Sequence, residues 1–140
     1  MAVYDGRVAL RVLEAAAIQK QAADDRAADL ARQEEERLER RRQLVASLGP
    51  WGEDLVTAAE TYGQDPWELH RVMLCESKGD ARAQNDEPVA GEHATGLFQF
   101  LPSTWAGTPY AGQSIYDGHA QVMAAAWMWS QGRQEEWACY

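Results

Sequence analysis

The sequence predicts a mainly α protein, a compact helical domain preceded by one long N-terminal helix. Three observations carry this expectation. From Arg7 to Leu48 there is no glycine and no proline, the two strongest helix breakers. All six tryptophans lie after residue 50, so the bulky apolar surface that builds a core belongs to the C-terminal part. Strand signals are weak throughout. The expected division is residues 1–49 as a charged helical arm and 50–140 as the folded domain.

The arm comes first. Its content is Ala, Glu, Arg, Gln and Leu, all good helix formers, and fully helical it would be roughly 60 Å long. Pairs such as Glu36 with Arg40 and Asp29 with Arg32 fall at helical spacing and add a few tenths of a kcal/mol each. Ala9, Ala16, Ala23, Leu30, Arg37 and Leu44 recur every seven residues. The second seam is polar, however: Val12 is followed at that spacing by Gln19, Arg26, Gln33 and Arg40. The arm therefore reads either as a solvated spacer or as a weak coiled coil. Its apolar start, Val8 to Ile18, is a candidate surface for a protein partner. Tyr4 is the only large aromatic in this part, and Gly49-Pro50 stops the helix.

Trp51 to Tyr62 forms the next helix, with Leu55, Val56, Ala58, Ala59 and Tyr62 on its apolar side and Gly63 at its end. Asp65 caps a further helix: Pro66 suits its first turn and Glu68 stands three residues after the cap. That helix runs to Ser77, where Lys78-Gly79-Asp80 breaks it. Ala81 to Thr95 is polar and irregular. Ser103 or Thr104 starts a short helix, and Asp117 caps a longer one that reaches Ser130 and is closed by Gly132.

The formal net charge is -9, which opposes binding to phosphate backbones and excludes nucleic acid as an expected partner. No run approaches the ~20 apolar residues that span a bilayer. Met1 to Asp5 has no basic region leading into an apolar run, so no signal peptide is expected. The three histidines, His70, His93 and His119, show no ligand spacing, and no metal or cofactor is expected. Cys75 and Cys139 alone are compatible with buried thiols, a disulfide or half a metal site.

Candidate chemistry sits on the helix from Pro66 to Ser77. Leu69, Val72, Met73 and Glu76 fall at three- and four-residue spacing, so one apolar face carries a carboxylate at its end. Burial and the negative end of the helix both disfavour the ionised form, which is what a general acid needs. Periodicity alone is equally compatible with a surface glutamate at a frayed helix end.

Further residues follow in order: Cys75-Glu76-Ser77-Lys78-Gly79-Asp80, then Ala83 and Asn85, then Gly96-Leu97-Phe98-Gln99-Phe100-Leu101-Pro102-Ser103-Thr104-Trp105. This set resembles the soluble lytic transglycosylases, with Glu-Ser near a helix end and a Gly-Leu-x-Gln motif. It is more similar still to the resuscitation-promoting factors, small domains with Cys-Glu-Ser, Gly-Leu-Gln-Phe and a Trp-x-x-Cys end. Here that end is Trp137-Ala138-Cys139, one residue shorter. The resemblance covers about residues 51 to 140.

The resemblance implies a lysozyme-like fold, formally α+β but mainly helical, that cleaves the β-1,4 linkages of peptidoglycan glycan strands. It implies that Glu76 is the catalytic acid and that Gly96 and Leu97 form a tight turn beside the cleft. Gln99 would hydrogen-bond substrate, with a buried core amide as its alternative reading, and Phe100 would pack beneath or beside a sugar. Asn85 matches an Ala-x-Asn element, and Tyr110 and Tyr116 are read as cleft aromatics. Trp105 and Trp129 are read as core, and His93 and His119 as surface or structural residues.

The resemblance also implies a Cys75–Cys139 disulfide, which would stabilise by about 4 kcal/mol in the chain-entropy model. An extracellular or cell-wall location follows. With no export signal expected, the chain is read as truncated or otherwise delivered, for example on a phage particle. Glycosidases commonly use two carboxylates; Asp80, Asp86, Glu87 and Glu92 are the candidate seconds. Two other classes stay open: a glycan-binding module without turnover, and a structural protein that interacts through the helical arm.

Overall fold

A computed structural model describes residues 6–140. Tyr4 and the Met1 to Asp5 stretch lie outside the described residues. The elements follow in chain order as α1 (Gly6–Ser47), a 3-10 turn (Gly49–Trp51), α2 (Gly52–Tyr62), α3 (Pro66–Ser77), α4 (Pro102–Ala106), α5 (Gly118–Ser130) and a second 3-10 turn (Gln134–Glu136). The only strand-like pairing among the described residues is three isolated antiparallel bridges, Gln84 with Thr95, Val89 with Glu92, and Thr95 with Phe100.

The chain divides into two units, Met1–Arg41 and Arg42–Tyr140. In the first, α1 exposes Val8, Leu10, Val12, Leu13, Ile18 and Leu30. Its surface carries short-range ion pairs, Lys20 with Asp24 at 2.8 Å and Arg32 with Asp29 at 2.7 Å. Such exposed pairs contribute at most a few tenths of a kcal/mol each, so they support the helix without deciding it.

The second unit includes the end of α1, from Arg42. Its physical reason is packing: Leu44 and Val45 lie against the core and Leu48 is buried, so the helix's last turn belongs to the domain. Helix α5 is buried nearly all round, with Ala120, Val122, Ala124, Ala125, Ala126 and Met128 shut away from solvent. A helix that is apolar on every face must be central, and α2 and α3 pack against this one. At its start Gly118 admits the ring of Trp51, because a Cβ there would meet that ring at 2.2 Å. Trp51 Nε1 donates to Gly79 O at 2.9 Å, tying the start of α2 to the end of α3.

The caps separate local from remote control. Asp65 accepts from Trp67 N at 2.8 Å and Asp117 from Ala120 N at 2.9 Å, as the sequence predicts. Glu68 does not reach back to complete a capping box; it pairs forward with Arg71 at 2.7 Å. Helix α4 begins at Pro102, not at Ser103 or Thr104, and neither residue caps it. Glu92 does so from the preceding loop, accepting from Ser103 N at 2.8 Å and from Ser103 Oγ at 2.5 Å.

Candidate active site

Helix α3 positions its carboxylate by periodicity. Leu69, Val72 and Met73 are buried, and Glu76, at the next helical step on the same side, is half-buried. The helix ends immediately afterwards, with Lys78 at φ 56° and Gly79 at φ 81° turning the chain away. Ser77 holds that exit: its Oγ donates to Met73 O and accepts from Gly79 N, both at 3.2 Å. Burial pushes the Glu76 carboxyl above the ordinary glutamate range, while the backbone N–H of Cys139 draws it the other way. The end of a helix adds partial negative charge, which also favours the protonated acid.

Glu76 borders two hollows. One is a groove of about 380 Å³ that also contains Gln99, Phe100, Met128, Trp137 and Ala138. The other, of about 320 Å³, lies toward Lys78 and Ala83. Glu76, Asn85 and Gln99 line both, so the acid stands where the two meet. Each is in the size range of a small-molecule site.

The opposite wall is a four-residue turn closed by reciprocal hydrogen bonds between Thr95 and Phe100, each 2.9 Å. Gly96 occupies φ 85°, and a Cβ there would meet the Gln121 amide at 2.3 Å, so both backbone and space demand glycine. Gln121, fully buried on α5, accepts from Leu97 N at 2.9 Å and donates to Ala81 O at 3.0 Å and to Ile115 O. One side chain thus fixes the turn, the loop leaving α3 and the approach to α5. Gln99 also sits at positive φ, 54°. Its Nε2 donates to Gly96 O at 3.0 Å and Ala83 O at 3.2 Å. Both partners are carbonyls, so the amide nitrogen is committed to the protein and only Oε1 is left to accept from a ligand.

The other predicted site residues divide. Asn85 lines both hollows, and its Oδ1 accepts from Glu87 N at 3.0 Å. Phe100 is buried beneath the groove, edge-on to Trp105 and Trp137 at centroid distances of 5.4 and 5.8 Å. Leu97 is not a ligand-facing residue: its side chain is wholly in the core, and its part in the site is its backbone N–H. Tyr110 and Tyr116 line neither hollow. Tyr110 is drawn against the core and shares a short hydroxyl–hydroxyl hydrogen bond with Tyr62, which together with burial pushes its phenol well up. Tyr116 lies half-exposed in the turn before α5.

The candidate second carboxylates are also corrected. Asp80, Asp86, Glu87 and Glu92 are all absent from the groove lining. Asp80 is used in a turn with Arg82 N at 2.8 Å, and both oxygens of Glu92 are occupied by Ser103. The carboxylate that does line the groove with Glu76 is Glu136, held by Arg133 with Nη2 to Oε1 at 2.9 Å. Gln121 was missed too, although a lone amide in the apolar run Ala120 to Trp129 is a legible sign of a buried polar hub. Cys75 and Cys139 are joined, with Cα atoms 6.1 Å apart.

The mainly helical domain, with Glu76 half-buried between two hollows, is of the lysozyme-like class. The chain is a member of the Transglycosylase SLT domain family, whose family model matches residues 55–131. At the level of that family, the activity is lytic-transglycosylase-type cleavage and the substrate is peptidoglycan. No curated protein and no solved structure gives a significant match. No helix among the described residues is long and apolar enough to cross a membrane.

Proposed function

We propose that this chain cleaves the β-1,4 linkage between N-acetylmuramic acid and N-acetylglucosamine, with Glu76 as its acid. The observation that carries the reading is Glu76 itself, half-buried where the two hollows meet and biased by burial toward its protonated form. In the first step the Glu76 carboxyl protonates the linkage oxygen as the C1–O bond breaks. The substrate's own N-acetyl group supports the developing positive charge, so one enzymic acid is sufficient. The resulting carboxylate then takes the proton of the C6 hydroxyl as that oxygen closes on C1, giving an anhydro-muramic end.

Gln99 serves as a fixed acceptor: with its nitrogen committed to Ala83 and Gly96, Oε1 is available to a sugar hydroxyl or N-acetyl N–H. Phe100 supports the groove floor from below. Hydrolysis, with water in place of the C6 hydroxyl, is the second reading; Glu136 lies in the same groove with both oxygens paired to Arg133, so Glu76 again supplies the base. The disulfide supports an oxidising, cell-wall location.

The test is Glu76→Gln, which keeps the shape and removes the transferable proton, assayed on purified peptidoglycan. Loss of turnover by at least a hundredfold is expected; clearance at the unaltered rate overturns the assignment. Mass spectrometry of the released muropeptides distinguishes the products, since anhydro ends are lighter by one water than reducing ends.

A further inference from the structure

The last residues of the chain do more than close the fold. Glu136, Trp137 and Ala138 form a wall of the groove that contains Glu76. Cys139 is bridged to Cys75, the residue immediately before Glu76. We propose that the disulfide-tethered segment Glu136–Cys139 is a positioning element for Glu76, presenting the Cys139 backbone N–H to its carboxylate and closing the groove beside it. The inference rests on the reading of Glu76 as the acid and adds a group that acts through it.

The segment contains little regular structure, only the end of the 3-10 turn Gln134–Glu136, so side-chain and backbone contacts locate it. Three of these tie it to α3 and to the turn that carries Gln99. The bridge brings Cys139 to the last turn of α3, and Arg71, one helical turn earlier, donates Nη1 to Cys139 O at 2.8 Å. Buried Trp137 donates Nε1 to Phe98 O at 2.8 Å, within the turn that carries Gln99. Arg71 therefore holds Cys139 by its carbonyl, and the backbone N–H of that residue acts to favour the Glu76 carboxylate.

The two effects of the segment suit two stages of one reaction. Its wall removes water from Glu76 and keeps the proton on until a linkage oxygen arrives. Its N–H then stabilises the anion left after that proton is given away. Burial is the dominant influence on Glu76, and the segment contributes to it as a wall of the groove. Releasing the segment should therefore move the acid toward ordinary glutamate behaviour, not away from it. Of the charged groups near this contact, Arg71 is paired with Glu68 and Glu136 with Arg133, while Lys78 lines the second hollow with Glu76.

The test is the titration midpoint of the Glu76 carboxyl, read by carbon NMR in the full chain, which needs no turnover. It is compared in the oxidised wild type, in Arg71→Gln with the bridge intact, and in the Cys75→Ser/Cys139→Ser chain. The expected midpoint falls in Arg71→Gln and falls further in the double variant, with kcat reduced on the order of 10- to 100-fold. Arg71→Lys, which keeps a donor, restores part of both. An unchanged midpoint in Arg71→Gln and in the folded double variant overturns the proposal; if the double variant does not fold, Arg71→Gln alone decides. A lowered midpoint in chains whose turnover is unaffected would instead count against Glu76 as the acid.

Discussion

Gln121→Leu tests the organisation of the site at its buried centre. The substitution keeps the approximate volume and removes an amide with three backbone partners, Leu97 N, Ala81 O and Ile115 O. Gln121 is 0% exposed, so water does not replace it readily. An orphaned buried donor or acceptor costs about 1–3 kcal/mol, and three of them with partial relaxation give about 3–6 kcal/mol. Against a total of about 5–15 kcal/mol that is a large fraction. With a urea slope of about 2 kcal/mol/M, the midpoint should fall by about 2 M at unchanged slope.

A companion variant checks the direction of the argument. Gln121→Glu keeps an acceptor for Leu97 N but turns its second oxygen toward two carbonyls. That oxygen must carry a proton, so the folded-state pKa is raised above the unfolded value. The variant should be more stable at acid pH and lose stability as pH rises through the carboxylate range. A Gln121→Leu loss below about 1 kcal/mol, or a Gln121→Glu stability that rises with pH, would refute the hub reading.

Three further outcomes are expected. Glu76 has its folded pKa raised by burial, so the native state binds the extra proton and stability falls as pH rises through that window. Glu76→Gln should therefore melt higher than wild type at neutral pH, with the gap closing at acid pH; equal melting temperatures at neutral pH would contradict it. Removing the bridge, whose partners are 64 residues apart, should cost about 4 kcal/mol, measurable as the urea midpoint difference between oxidised and reduced chains. Gly96→Ala forces a side chain into φ 85° and onto Gln121, and should cost about 2–4 kcal/mol and weaken glycan binding, seen by calorimetric unfolding and sacculus pull-down.

The helices were legible because their instructions are local. Asp65 and Asp117 cap through N–H groups two or three residues away, and the central place of α5 follows from its apolar content on every face. The position of Glu76 was legible for the same reason, since helical spacing alone sets it on the face of Leu69, Val72 and Met73. The disulfide and the Gly96 turn came from resemblance to known motifs, not from spacing.

What surrounds Glu76 was decided by tertiary packing. The cap of α4 comes from Glu92, a residue its own helix does not contain. Gln99 keeps only its amide oxygen for further hydrogen bonds because Ala83 and Gly96 occupy its nitrogen. The second carboxylate of the groove is Glu136, brought in by the C-terminal segment, whereas Tyr110 was taken out by Tyr62. Periodicity and capping act over a helical turn, so one stretch of sequence encodes them. A groove is closed by side chains tens of residues apart, and their meeting depends on how the helices and the left-handed turns at Lys78, Gly96 and Gln99 fold the chain back on itself.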